Sequence, residues 1–180
     1  MKPPHSRYVR SQAGYTLVEL MVASAIGVIV MTGLTSVLLT SWQAGTTATS
    51  RVVASAQIRN FEFVAYDDFA LANVPDQSGC AASAASPCTT QPLVLTGVQA
   101  SNAANPVSSP HQVTYTWDGA DLLERQVGAN PPRETANGVS AFSWYVAGAA
   151  PRQTVVVTIT VTVLAYSQTQ TFLFYPRVNP

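Results

Sequence analysis

A glycine, an aromatic residue and a lone carboxylate mark the start of a long apolar segment. Gly14 precedes Tyr15, and Glu19 follows Tyr15 by four residues. The next 20 residues, Leu20 to Leu39, carry no charge and would form about 30 Å of helix, enough to cross a bilayer. A carboxylate in a membrane helix costs about 2.5–3.5 kcal/mol at its centre and less near an end. Glu19 therefore requires a cationic partner or an interfacial position in the first turn, where the helix dipole favours an acid.

The residues before the apolar segment are basic and indicate how the chain is oriented. Lys2, Arg7 and Arg10 precede Gly14, and positive charge beside a membrane helix favours the cytoplasmic side. An ordinary secretory signal has a cleavage site after its apolar stretch, and no such site is obvious here. We therefore expect the rest of the chain to be exported behind a retained anchor, and a plain type II membrane anchor is one interpretation of this pattern.

Two cysteines are the second group of residues whose side chains could take part in chemistry. Cys80 and Cys88 are separated by seven residues, mostly small ones, in a loop that closes into a disulfide at modest entropic cost. Half of a metal site is the other interpretation, but it needs further ligands, and neither His5 nor His111 has ligand spacing. The sequence therefore predicts a disulfide, no metal site and an oxidising compartment outside the cytosol.

Composition and charge restrict the classes of function. Charged residues are 10% of the chain, against about 25% in a typical soluble protein. Nine basic and nine acidic residues cancel, but removing Lys2, Arg7 and Arg10 with residues 1–14 leaves six basic and nine acidic residues, a net charge of −3. This balance disfavours nucleic acid as a partner bound through bulk charge and leaves only a small local patch open.

Few residues could support catalysis. His111 is the only histidine after Gly14, and the chain has no G-x-S-x-G motif and no phosphate-binding glycine loop. We therefore expect no enzymatic activity and no cofactor. Three aromatic residues could instead stack on bases or sugars in a binding module, although burial in a sheet explains them better. They are Trp117, Trp144 and Tyr145.

A long helix is the element that carries the N-terminal residues. Apolar residues spaced by three and four positions predict that the helix continues beyond the anchor to about Ala72, with one stripe packed on the globular part of the chain. That stripe is Ala54, Ile58, Phe61, Ala65, Phe69 and Ala72. Val52 and Phe63 fall roughly opposite, where a neighbouring molecule could contact them. Residues 73–92, rich in Pro, Ala and Ser, are predicted to form a loop.

Beyond residue 92 the apolar period changes to two, which predicts strands. The candidate strands are PLVLTGV, HQVTYTW, LLERQV, GVSAFSWYVA, TVVVTITVTVLAY and QTFLFYPRV. The segment DGAD joins two of them, and its Asp118 and Asp121 are assigned to turn chemistry because a calcium loop needs several more oxygen ligands. The predicted fold class is α+β, a long N-terminal helix packed on one antiparallel sheet of four to six strands.

The sequence G-Y-T-L-V-E-L, beginning at Gly14, resembles the prepilin signature of type IV pilins and type II secretion pseudopilins. The resemblance implies that a membrane-embedded prepilin peptidase cuts after Gly14 and methylates Tyr15, where the family usually has phenylalanine. It also implies a fibre whose core is a bundle of the apolar helices. Glu19 would then pair with the new amine of a neighbouring subunit, and the cost of an unpaired buried anion would select partner and axial register.

The resemblance implies four parts in the chain. Residues 1–14 are the leader peptide, 15–40 the membrane-spanning and fibre-core helix, and 41–72 an amphipathic periplasmic helix. Residues 73–180 form the globular β-sheet domain of a type IV pilin-like fold, with the disulfide loop at 80–88. The expected location is the inner membrane, crossed once with the C-terminal domain in the periplasm, and then the fibre. The expected partners are other pilin or pseudopilin subunits, the prepilin peptidase, the inner-membrane assembly platform and membrane lipid.

A looser pattern further along the chain is similar to PilW-type minor pilins and to J-type pseudopilins. The residues that carry it are Tyr115, Trp117, Gly119, Leu123, Arg125, Gly138, Val139 and Phe142. Ser36 stands where many major pilins have proline, which fits minor pilins and pseudopilins. The resemblance therefore implies a minor pilin that initiates assembly or occupies the tip of a type IV pilus. A minor pseudopilin of a type II secretion system and an adhesive or DNA-uptake pilin are the alternatives.

Overall fold

A computed structural model describes residues 14–77, 79–80, 83–99, 109–149 and 152–176. The chain divides into two compact units, Met1–Gly45 and Thr46–Pro180. The helix α1 runs from Leu17 to Leu71 and contributes residues to both units. Seven strands follow among the described residues: β1 (Leu93–Gln99), β2 (Ser109–Trp117), β3 (Leu123–Val127), β4 (Arg133–Ala136), β5 (Val139–Ala147), β6 (Thr154–Val163) and β7 (Tyr166–Phe174). The α+β fold class predicted from the sequence is confirmed.

The part of α1 in the second unit turns its predicted stripe into the core. Ala54, Ile58, Phe61, Ala65 and Phe69 are all buried, as is Ala72 just beyond the end of the helix. On other faces of the helix, Val52 and Phe63 are 69% and 77% exposed. A helical period of 3.6 thus separates a core-facing stripe from an exposed one, as the spacing predicted.

The strands form two antiparallel sheets rather than the single sheet of four to six strands expected from the sequence. The order is β1-β2-β3-β4 in one sheet and β5-β6-β7 in the other. The chain passes from one sheet to the other at Gly138, whose φ of 74° suits glycine and strains residues with a side chain. The carbonyl of Gly138 accepts a hydrogen bond from the Thr162 amide at 2.7 Å. The sequence did not predict β4 because its four residues, RETA, carry no apolar alternation.

The strand β6 follows the predicted alternation along most of its length. Val155, Val157, Ile159 and Val161 are fully buried, although Val156 on the other face is buried as well. The threonines of that other face pair with hydroxyl groups of β7. The oxygen–oxygen distances are 3.0 Å for Thr158–Thr171, 2.9 Å for Thr160–Thr169 and 2.7 Å for Thr162–Ser167. These cross-strand pairs satisfy the polar face of the sheet while the valine face builds the core.

One aromatic side chain of α1 joins the helix to both sheets. The ring of Phe61 lies 5.6 Å from the ring of Tyr115 on β2, edge to face. On the second sheet it meets Phe142 at 6.1 Å and Phe172 at 5.7 Å between ring centroids. Trp144 of β5 is 2% exposed. Burial therefore accounts for this tryptophan, in line with the sheet interpretation of the aromatic residues.

A buried carboxylate ties the end of α1 to the first sheet. Asp68 is 3% exposed and accepts hydrogen bonds from Nε of Arg125 at 2.6 Å and from its Nη2 at 2.5 Å. The Tyr115 hydroxyl donates to the same carboxylate at 2.5 Å. Burial, with the negative charge of Asp68, raises the pKa of Tyr115 above its ordinary value, and hydrogen bonding to Asp68 raises the pKa of Arg125. Two residues of the downstream resemblance therefore have a structural role in this contact.

The two cysteines hold the loop that precedes β1. Cys80 and Cys88 form a disulfide, with Cα atoms 5.9 Å apart. The Cys88 amide donates to the Trp144 carbonyl at 2.8 Å, and the Trp144 amide donates to the Cys88 carbonyl at 3.0 Å. The disulfide loop is thus attached to β5 by a pair of backbone hydrogen bonds.

The turn between β2 and β3 uses an aspartate as a local acceptor. One carboxylate oxygen of Asp118 accepts hydrogen bonds from the amides of Ala120, Asp121 and Leu122 at 2.9, 2.9 and 3.0 Å. These hydrogen bonds hold the pKa of Asp118 below its ordinary value, and the one from Ala120 has the largest effect. The turn interpretation of this segment therefore agrees with the geometry.

Candidate functional site

The start of α1 is closed by a capping box. Thr16 stands immediately before Leu17, the first helical residue. Its Oγ1 accepts a hydrogen bond from the backbone N–H of Glu19 at 3.3 Å, and its own backbone N–H donates to Oε2 of Glu19 at 3.2 Å. Each side chain thus satisfies a backbone N–H that helix geometry leaves without a partner. The sequence T-x-x-E ahead of an apolar run dictates this arrangement.

The two carboxylate oxygens of Glu19 are used differently. Oε2 accepts from the Thr16 backbone and also from the Thr16 hydroxyl, at 3.3 Å. Among the residues that the structure describes, Oε1 has no hydrogen-bond donor. Glu19 can therefore cap its own helix with one oxygen and present the other to a cation. We did not predict the capping role from the sequence, although the T-x-x-E spacing is its known signal.

The peptide bond between Gly14 and Tyr15 lies outside the helix. Both residues are exposed, and Tyr15 is 87% exposed. A peptidase must bind the backbone on both sides of the bond it cleaves, and a non-helical, exposed segment leaves that backbone accessible. Gly14 and Tyr15 thus precede the first helical residue, and Glu19 lies in the first turn of α1.

The apolar part of α1 has the composition of a membrane span. It is the one helix of the described chain that is long and apolar enough to cross a membrane, it lies near the N-terminus, and none of its apolar stretch is buried. Its hydroxyl groups donate to carbonyls three or four residues earlier, at 2.7 to 2.9 Å. The donors are Ser24, Thr32, Thr35, Ser36 and Thr40. Such internal hydrogen bonds suit a helix surrounded by hydrocarbon, which offers no water to these groups.

The other residues considered from the sequence lie elsewhere in the fold. Cys80 and Cys88 belong to the second unit, in the disulfide described above. The backbone of His111 lies in β2. Within the described ranges, no three residues among His, Cys, Asp and Glu are grouped so that they could hold a metal ion.

Comparison with known proteins identifies the N-terminal segment. A family model described as the prokaryotic N-terminal methylation motif matches residues 9–35, which include Gly14, Tyr15 and Glu19. No curated protein and no solved structure matched the chain. The motif is typical of pilin-like or pseudopilin precursors, a class of structural subunits that is generally non-enzymatic. The chain carries the prepilin-type N-terminal methylation motif, consistent with the type IV pilin and pseudopilin superfamily.

Proposed function

We propose that this protein is a minor pilin, which initiates a type IV pilus or occupies its tip after cleavage between Gly14 and Tyr15. The prepilin peptidase removes residues 1–14 and methylates Tyr15, whose secondary amine stays cationic. The inner-membrane assembly platform then moves the apolar helix from the lipid into the fibre. The C-terminal domain remains on the periplasmic side until that transfer.

One observation carries the proposal: Glu19 has a carboxylate oxygen available while the other caps the helix. The hydrogen bonds from Thr16 hold the carboxylate in place at Oε2. A neighbouring subunit can therefore bring its N-terminal amine to Oε1 without opening the first turn of the helix. In a low-dielectric fibre core an unpaired carboxylate is costly, so this pairing favours one partner and one axial register.

The role of a minor subunit has further support in the chain. Ser36 stands where many major pilins have proline, and α1 continues through this position with the Ser36 hydroxyl bonded to the Gly33 carbonyl at 2.9 Å. The strand-turn-strand segment from Tyr115 to Arg125 is similar to that of PilW-type minor pilins. Both features favour a minor subunit over the bulk subunit of a pilus.

Substitution of Glu19 tests the pairing separately from the capping. Glu19→Gln keeps a side chain that can complete the capping box but removes the charge. We expect both this variant and Glu19→Ala to enter the membrane and to be depleted in sheared fibres. A loss of about 1.4 kcal/mol in pairing already lowers incorporation tenfold. Immunoblots measure the amount of each variant in the sheared-fibre fraction relative to its amount in the membrane fraction.

Matched variants control for loss of the cap and for a change of charge elsewhere. Thr16→Ala retains the carboxylate, and Glu62→Gln removes an exposed charge from the second half of α1. Both should be incorporated at wild-type levels. Normal incorporation of Glu19→Gln alongside depletion of Glu19→Ala would assign Glu19 to capping alone and refute the pairing role.

Deletion of the gene separates a pilus from a secretion system. The proposal predicts loss of surface pili and of twitching motility. If deletion instead stops the export of secreted enzymes and leaves twitching intact, the protein is a pseudopilin of a type II secretion system and the pilus assignment is wrong.

A further inference from the structure

We propose that the β3–β4 hairpin contains a carboxylate-binding site built from Arg133 and the outer edge of Arg125. The site is a cavity of about 310 Å³ lined by Arg125, Val127, Asn130, Pro131 and Arg133. All five residues belong to the second unit. The processing and assembly role of the N-terminal segment makes no use of this cavity, so the inference stands independently of the proposed function.

Two arginines lie directly opposite each other at this cavity. Arg125 and Arg133 are register partners across β3 and β4, and like charges in such a pair destabilise a sheet. Asp68 neutralises Arg125 through two hydrogen bonds. The side chain of Arg133 has no ion pair or hydrogen bond within the described residues, which include every Asp and Glu of the sequence. The cavity therefore carries one positive charge that forms no salt bridge with a carboxylate side chain.

Arg125 retains donors after it has bound Asp68. A guanidinium group has five N–H donors, and Asp68 engages one on Nε and one on Nη2. Tyr115 accepts a further hydrogen bond from the guanidinium, so two of the five N–H groups remain for another acceptor. The Arg125 side chain is 25% exposed, so such an acceptor can reach it. Because Asp68 fixes the guanidinium in place, a ligand would meet a preorganised donor edge.

The charge and the walls of the cavity favour a carboxylate. One unbalanced positive charge matches a single carboxylate, whereas a phosphate group carries about −1.5 to −2 charges at neutral pH. Val127 and Pro131 offer apolar surface to the methylene groups beside a carboxylate, and the side-chain NH₂ group of Asn130 can donate to its oxygens. The carboxylate can come from an acidic side chain of a neighbouring protein subunit or from a small free aliphatic acid, which share this chemistry.

Titration of the chain from Tyr15 to Pro180, in detergent micelles, tests the site. Sodium acetate, sodium phosphate and sodium chloride are added at matched ionic strength to protein labelled with nitrogen-15. We expect saturable shifts of the Val127, Asn130 and Arg133 amides with acetate and not with chloride. Arg133→Gln should weaken acetate binding at least about tenfold, the loss expected for one charge-assisted contact. Arg152→Gln, which removes another exposed arginine, should bind as the wild type does.

Three results would overturn the proposal. They are acetate shifts that grow linearly as with chloride, equal acetate binding by Arg133→Gln, and tighter binding of phosphate than of acetate. A photo-crosslinking amino acid at position 130, introduced in cells, then identifies the source of the carboxylate. An adduct with another subunit supports an acidic side chain as the ligand, and acetate binding without an adduct supports a free acid. If the titration shows no carboxylate-binding site, the proposal of cleavage after Gly14 is not affected.

Discussion

At the scale of single residues, Glu19 combines a local role with an intermolecular one. The resemblance to prepilins implied a docking carboxylate, whereas the residues alone also allowed an interfacial acid in the first turn of the helix. The structure adds that Thr16 holds one of its oxygens, so the unassembled subunit already stabilises the carboxylate in part. The pairing role stays a prediction, whereas the capping contact follows from the geometry. These two roles can be separated because they involve different oxygens.

Loss of the Thr16 hydroxyl should weaken the first turn of α1. Thr16→Ala removes the only acceptor described for the Glu19 backbone N–H, and loss of an N-cap side chain costs about 1 kcal/mol. We expect that amide to exchange its hydrogen about fivefold faster in micelles, the factor that corresponds to 1 kcal/mol. Ser24→Ala is the control, because the Ser24 hydroxyl donates only to the Met21 carbonyl. Equal exchange rates in Thr16→Ala and wild type would contradict the capping assignment.

Asp68 links α1 to the first sheet through its hydrogen bonds with Tyr115 and Arg125. Asp68→Asn leaves the Arg125 guanidinium without its carboxylate, and because this guanidinium is partly exposed, we expect the cost of losing a hydrogen bond to a charged group, about 1.5–3 kcal/mol. The free energy of unfolding, measured with urea in micelles, should fall by this amount. The neighbouring Asp67 is exposed, so Asp67→Asn should change stability by no more than about 0.5 kcal/mol. Similar losses in both variants would show that the ion pair is not what stabilises this region.

At the scale of elements, periodicity predicted those parts of the fold that repeat. The stripe of α1 and the alternation of β6 were confirmed because many residues with one spacing face one core. The short strand β4 and the division into two sheets were not predicted. β4 is polar and has only four residues, and the division depends on the backbone at Gly138 rather than on any apolar pattern. Short polar strands and single-residue bends leave no periodic signal.

The junction between the end of α1 and β1 depends on a glycine. The Asn73 amide donates to the Thr96 carbonyl at 2.6 Å, and Ala72 forms a bridge with Gly97. A Cβ atom at position 97 would overlap the Leu71 carbonyl. Gly97→Ala should therefore destabilise the protein by about 1–3 kcal/mol, the usual cost of overpacking.

Urea unfolding of Gly97→Ala beside Gly45→Ala measures this cost. Gly45 lies inside α1, and a Cβ atom at this position would meet open space. Alanine there should therefore preserve or raise stability, by up to about 1 kcal/mol. If Gly97→Ala unfolds at the wild-type urea concentration, the close approach of α1 to β1 is not required for the fold.

At the scale of the whole molecule, the two compact units were predicted from different features of the sequence, a specific motif for one and general packing patterns for the other. The N-terminal unit could be interpreted from a short motif at fixed spacing and from a long uncharged apolar run, because both are continuous in the sequence. The C-terminal unit follows from generic packing rules, which predict a fold class but not a partner. The cavity at Arg133 was not predicted, because two arginines distant by eight positions become neighbours only once β3 and β4 pair.

Mass spectrometry of the native protein tests the central claim most directly. The account predicts a mature chain that begins at Tyr15, carries one added methyl group on its N-terminal amine and contains an oxidised Cys80–Cys88 pair. A native protein that still begins at Met1, or one that begins beyond the apolar segment, would contradict it.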